Sequence, residues 1–237
     1  MKLPGLLCTQ SSTRPVVICL LTVSFVILLL SCTGEAPEIN QVFWQLNVLL
    51  DRSIEQEYER LSLFLHVEDA DGFDDLSTIY LLHDRNELQW KIESEDWELF
   101  EENSEKWIGL NTLYMPNWEA FPRGKYRVIV VDRAGDSGRD ELFLSTDRFI
   151  LSEIRFPRAE LRDEIIVLRS SYKEHTLWLY DGQNKVSKTF TTDSKRMPLS
   201  SILRQRDLAE SEHLFLYTYD DTRGIGLISG PYDLRSP

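Results

Sequence analysis

The run from Val16 to Leu30, VVICLLTVSFVILLL, divides the chain into a segment built for export and a segment built to fold. Lys2 and Arg14 precede it, no acidic residue occurs before Glu35, and the small Ser31 follows. That layout of positive start, apolar middle and small residue is that of an export signal over residues 1–31. A membrane-spanning helix needs about 20 apolar residues. This run is shorter, and Thr22 and Ser24 dilute it, so an uncleaved span is the weaker reading. A plain cleaved signal in which Cys32 is incidental is the other alternative.

The closing residues Leu29-Leu30-Ser31-Cys32 resemble the lipobox of bacterial lipoproteins, where a cysteine follows aliphatic and small positions. The resemblance implies that Cys32 is acylated on sulfur, palmitate being typical, and becomes the mature N-terminus. One acyl chain holds a protein only marginally, whereas two or more hold it stably. It implies a bacterial cell-envelope location, lipid-anchored to a membrane facing the periplasm or the cell surface. Residues 32–40 then read as a lipidated tether, with a reach from Thr33 to Asn40 of roughly 30 Å. Thr33, rather than Asp, stands after the cysteine, which in the best-known sorting rule favours the outer membrane.

Cleavage after Ser31 removes Lys2 and Arg14 and no acid, taking the net charge from -13 to -15. Such a chain is repelled by nucleic acid and by anionic lipid, so nucleic acid is rejected as a partner. Cys8 and Cys19 fall inside the signal, and Cys32 is left without a disulfide partner. Stability must therefore come from an ordinary core.

Alternation sets the fold class. Leu61, Leu63, Leu65 and Val67 share one face of Leu61–Glu68, as in a half-buried strand. Further strands are expected over Val42–Leu50, Thr78–His83, Leu88–Ile92, Trp107–Leu113 and Glu141–Ser145. Ser53 and Gln56 stand at capping-box spacing and predict one helical turn within Asp51–Arg60. Phe121 to Gly135, a Pro- and Gly-containing turn followed by Tyr126, an apolar run and Asp-x-Ala-Gly, resembles the penultimate strand of bacterial immunoglobulin-like and fibronectin-like sandwiches. The resemblance implies that the Tyr126 hydroxyl ties back to the backbone as a corner tyrosine.

Later, strands are expected over Phe149–Ile154, Ile165–Arg169 and Thr176–Tyr180, and a helix over Leu199–Arg206 with Pro198 at its start. A hairpin joins His213–Asp220 to Ile225–Ser229 across Asp221–Gly224. The expectation is thus a mainly β protein: an Ig-like β-sandwich over 41–147, then a small α+β domain over 148–237.

Among groups able to do chemistry, Asp69, Asp71, Asp74 and Asp75 crowd around Gly72, and in such a sandwich Asp132 and Asp136 lie at the same end. Hard oxygen ligands suit Ca²⁺, but the spacing is not that of an EF-hand, and solvated Asp-Gly turns explain it as well. No metal ligand is assigned. His66, His83, His175 and His213 have no metal-ligand spacing, and His66 falls on the strand face opposite the leucines. Gly226-Leu-Ile-Ser-Gly230 misses the nucleophile-elbow register by one residue, and no nucleotide-binding glycine pattern occurs, so no catalytic residue and no cofactor are assigned. Trp90, Trp97 and Trp107, with Tyr217 and Tyr219, suit either core packing or a carbohydrate or peptide groove, and packing is preferred. The expectation is a non-catalytic envelope lipoprotein that binds or assembles other envelope proteins. The alternative is a ligand or Ca²⁺ receptor using the acidic loops.

Overall fold

The computed structural model describes residues 34–183, 185–202 and 211–234. The export segment, Cys32 and Thr33 lie outside the described residues, as do residues 203–206 of the expected helix. Residues 36–237 form one compact unit.

The first eight strands are β1 (Glu38–Asp51), β2 (Gln56–Glu68), β3 (Leu76–His83), β4 (Leu88–Glu93), β5 (Glu98–Glu102), β6 (Glu105–Tyr114), β7 (Gly124–Asp132) and β8 (Ser137–Leu144). β1 begins at Glu38, so it takes up the last residues of the expected tether. After it come β9 (Arg158–Arg162), β10 (Ile165–Arg169), β11 (His175–Asp181), β12 (Val186–Thr192), β13 (Arg196–Pro198), the one-turn helix α1 (Leu199–Ile202), β14 (Ser211–Asp220) and β15 (Ile225–Asp233).

One eight-stranded sheet runs in the order β12-β11-β14-β15-β1-β2-β6-β5. The four-stranded sheet β4-β3-β7-β8 and the three-stranded sheet β13-β10-β9 complete the fold. The long sheet crosses the expected boundary near 147–152, because β15 pairs in parallel with β1 over Asn47–Asp51. Both smaller sheets pack on one face of it. Leu46, Val48, Leu61, Leu63 and Leu65 meet Ile79, Leu81, Val128 and Val130 in the first core. Leu177, Leu179, Leu214 and Leu216 meet Ala159, Ile166 and Leu168 in the second. The arrangement is mainly β and sandwich-like.

Three local expectations differ. Residues 52–55 form a turn, not a helical turn, with the Asp51 carboxylate accepting from Ser53 N and Ser53 Oγ. The Asp51 side chain, rather than Ser53, therefore closes this turn between β1 and β2. Phe149–Ile154 is not a strand; it contains a single 3-10 turn, Leu151–Glu153. Its Phe149 and Leu151 lie against the first core, so burial there needs no strand partner. Pro198 ends β13 rather than opening the helix, which starts at Leu199.

Candidate functional site

Two places gather chemistry-bearing groups. The first is the sandwich end where β2 leads into β3 and β7 ends. There Asp69, Asp75 and Asp132 bring one carboxylate oxygen each within 4.8 Å of one another. Asp132, at 3% exposure, accepts from Gly135 N (2.7 Å) and Asp136 N (2.8 Å) through Oδ1. Asp69 Oδ1 accepts from Asp71 N at 2.9 Å. The remaining oxygens, Asp132 Oδ2 and Asp69 Oδ2, are buried without a hydrogen-bond partner. The carboxylates of Asp71, Asp74 and Asp136 do not join this cluster.

The second place is the other face of the eight-stranded sheet. Alternation sends Gln45, Asn47 and Leu49 of β1, Tyr58, Arg60, Ser62 and Phe64 of β2, and Trp178 and Tyr180 of β11 to the side away from both cores. No described sheet covers this side; the turn Pro116–Trp118 touches one end, with Trp118 4.3 Å from the Tyr58 ring. Trp178 stacks on Tyr217 with ring centroids 5.1 Å apart, and Tyr180 meets Phe215 edge-on at 5.0 Å. Together with Gln45, Asn47, Arg60, Ser62 and Asn111, the rings of Trp178, Tyr180 and Tyr217 line a hollow of about 400 Å³.

Behind two of the lining side chains the backbone requires glycine. A Cβ on Gly226 would lie 2.1 Å from Asn47 Oδ1 and 2.7 Å from the Tyr217 ring. Hydrogen bonds hold the wall: Gln45 Nε2 donates to Tyr217 Oη at 2.8 Å, and Asn47 Nδ2 to Ser62 Oγ at 3.0 Å. Arg60 is different. Its Nε is buried without a partner, and Arg60 makes no ion pair with a described residue. Burial lowers the guanidinium pKa below the ordinary arginine value, and nearby Tyr180, Tyr58, Glu98 and Asp51 offset only part of that.

The other sequence candidates separate. Trp90 sits in the sandwich, 5.4 Å from Phe121, with Nε1 donating to the Tyr114 carbonyl, and Trp97 packs against the same core. Trp107 lies on the open face beside His66 and Phe100. His83 and His175 are buried, and no described histidine belongs to a cluster able to hold a metal. Ser229 is buried and donates to the Pro157 carbonyl, which leaves no exposed elbow there. Arg60, Trp178 and Tyr180 carried no motif; the one local signal was the alternation of Thr176, Trp178 and Tyr180.

The fold and these two places define a mainly β protein, sandwich-like in build, whose long sheet carries on its second face a small aromatic cluster that no described sheet covers. No protein-family model matches the chain, and no curated protein matches it. Among solved structures it is similar to Tp47, the 47-kilodalton lipoprotein of Treponema pallidum, at 10% identity and a TM-score of 0.37, covering 84% of this chain and 51% of that one. It is also similar to a 1.5-MDa bacterial ice-binding adhesin, at 12% identity and a TM-score of 0.26, covering 82% of this chain and 63% of that one. The chain thus spans about half of the first and under two thirds of the second. No described helix is long and apolar enough to cross a membrane.

Proposed function

We propose that this chain is a lipid-tethered, non-catalytic binding module of the bacterial cell envelope, and that the open face of its eight-stranded sheet is the working surface. Acyl chains on Cys32 supply the membrane attachment, and other envelope proteins are the partners. The observation that supports this reading is Arg60: a buried guanidinium donor with nothing to bond, set among stacked aromatic rings and side-chain amides. Leaving such a donor unpaired costs free energy in the isolated molecule, which an incoming carbonyl or carboxylate recovers. Aromatic rings that expose a face next to polar anchors are the usual makings of an interface centre.

A photo-crosslinking residue at Thr189, beside the hollow, is compared in intact cells with one at Phe143, an exposed position on β8. The reading expects a discrete adduct from Thr189 alone, reduced at least tenfold by Arg60→Ala. No adduct from Thr189, or the same adducts from both positions, overturns it. A second reading, reception of a cation through the acidic loops, is favoured by the partnerless oxygens of Asp69 and Asp132.

A further inference from the structure

We infer that Asp69, Asp75 and Asp132 form a Ca²⁺ site that clasps the two sheets of the sandwich at one end. This deepens the second reading above and stands whether or not the open sheet face binds a partner. Turn chemistry is the competing explanation for aspartates beside glycine, and it accounts for one oxygen each of Asp132 and Asp69. Asp132 Oδ1 is used by Gly135 N and Asp136 N, and Asp69 Oδ1 by Asp71 N. It does not account for the second oxygens. Asp132 is 3% exposed, yet its Oδ2 has no partner, and Asp69 Oδ2 is buried and bare in the same cluster. Buried carboxylate oxygens without a donor are rare because they surrender hydration for nothing. Among the described residues no lysine, arginine or histidine pairs with any of the three.

The backbone already holds the cluster. Gly72 N donates to the Asp69 carbonyl at 3.2 Å, Asp75 N to the Gly72 carbonyl at 3.0 Å, and Arg133 N to the Asp75 carbonyl at 2.9 Å. The donor set decides the metal. Three carboxylates with no imidazole or thiolate are hard ligands, which disfavours Zn²⁺. All three oxygens lie within 4.8 Å of one another, inside the span of a Ca²⁺ shell with ligands at about 2.3–2.6 Å, and Ca²⁺ accepts an irregular oxygen shell where Mg²⁺ demands a near-octahedral one and sheds its waters reluctantly. Backbone carbonyls and water complete such a shell. Asp69 follows the end of β2 in the long sheet, whereas Asp75 and Asp132 border β3 and β7 in the four-stranded sheet. A cation there ties the two layers together, so the module stiffens where free Ca²⁺ is plentiful.

The test uses the full chain in detergent, stripped with chelator and titrated with CaCl₂ by calorimetry and by thermal melting. Three ligands on surface loops predict a dissociation constant of about 10⁻⁴–10⁻³ M. At ten times that concentration the melting midpoint should rise by about 3–6 °C, and MgCl₂ at the same concentration should give less than half the shift. Asp132→Asn keeps the Oδ1 acceptor and the loop, and should abolish the shift. Asp75→Asn should abolish it as well. Asp74→Asn, at an exposed position outside the cluster, should retain it. Absence of binding heat with an unmoved midpoint up to 10 mM (roughly ten times the weakest such constant) overturns the site, as does a shift that survives in both Asp132→Asn and Asp75→Asn. Either result leaves the crosslinking outcome at Thr189 untouched.

Discussion

At the scale of single residues, one buried ion pair of the first core is matched closely. Glu59, at 2% exposure, receives Arg123 on both oxygens (2.7 and 2.9 Å) and the Phe121 amide as well (2.8 Å). Arg123 also donates to the carbonyls of Thr146 and Phe121, so the pair is satisfied on every side that the surroundings offer. Nearby, Tyr126 donates to the Pro122 carbonyl at 2.7 Å, and burial pushes its pKa up. Tyr126→Phe removes that bond and leaves the Pro122 carbonyl unpaired, so it should destabilise the protein by about 0.5–1.5 kcal/mol. An unchanged urea midpoint would refute this. His175 behaves differently: burial pushes its pKa down to about 4 from 6.5, the Lys195 charge adding to the effect. Above pH 6.5 both folded and unfolded forms are neutral, and nothing is lost. Between pH 6.5 and about 4 the unfolded chain takes up a proton that the folded protein refuses, so stability falls as pH falls, by at most about 1.4 kcal/mol per unit. Urea midpoints measured across that window should fall less steeply in His175→Leu than in the parent, and parallel declines would refute the assignment.

At the scale of elements, what was legible depended on whether a strand carries its own pattern. β2 was readable because Leu61, Leu63, Leu65 and Val67 alternate with polar residues and one face is buried. The β14–β15 hairpin was readable because Gly224, at φ 67°, stands where its turn needs a left-handed residue. β5 and β12 were not readable. Both lie at the edges of the long sheet and are largely exposed, so neither shows a clean apolar face. Charged residues on β5 (Glu98, Glu101 and Glu102) also discourage pairing with another chain, which a bare edge invites. The two candidate sites differ in the same way. The acidic loops could be placed together from turn residues and the expected sandwich order, and Asp69, Asp75 and Asp132 do meet. Asp71, Asp74 and Asp136 could not be told from them, because only the backbone path decides which carboxylates turn inward. The aromatic hollow was hidden because it draws single residues from strands far apart in sequence, such as Arg60 and Trp178.

At the scale of the whole molecule, the parallel pairing of β15 with β1 matters most. No local pattern encodes it: Asn47 meets Gly226 only when the chain has returned across nearly its full length. Its consequence is mechanical. The first core contains Ile225 and Leu227 from β15 next to Leu46 and Val48 from β1, so the N-terminal sandwich is completed by the C-terminal end of the chain. Ser229 adds a bond to the Pro157 carbonyl, and Arg52 N donates to the Gly230 carbonyl at 2.7 Å, fastening the segment after residue 150 to both. Unfolding residues 148–237 alone would strip that core of two wholly buried side chains and leave the inner edge of β1 unpaired. Loss of buried leucine- or isoleucine-sized side chains costs about 2–5 kcal/mol each, a large share of the stability of any domain. The two halves should therefore unfold as one unit. Differential scanning calorimetry on the full chain should give a single transition whose calorimetric and van't Hoff enthalpies agree. Two resolved transitions, or a calorimetric enthalpy well above the van't Hoff value, would show that the long sheet parts between β15 and β1 before either half melts.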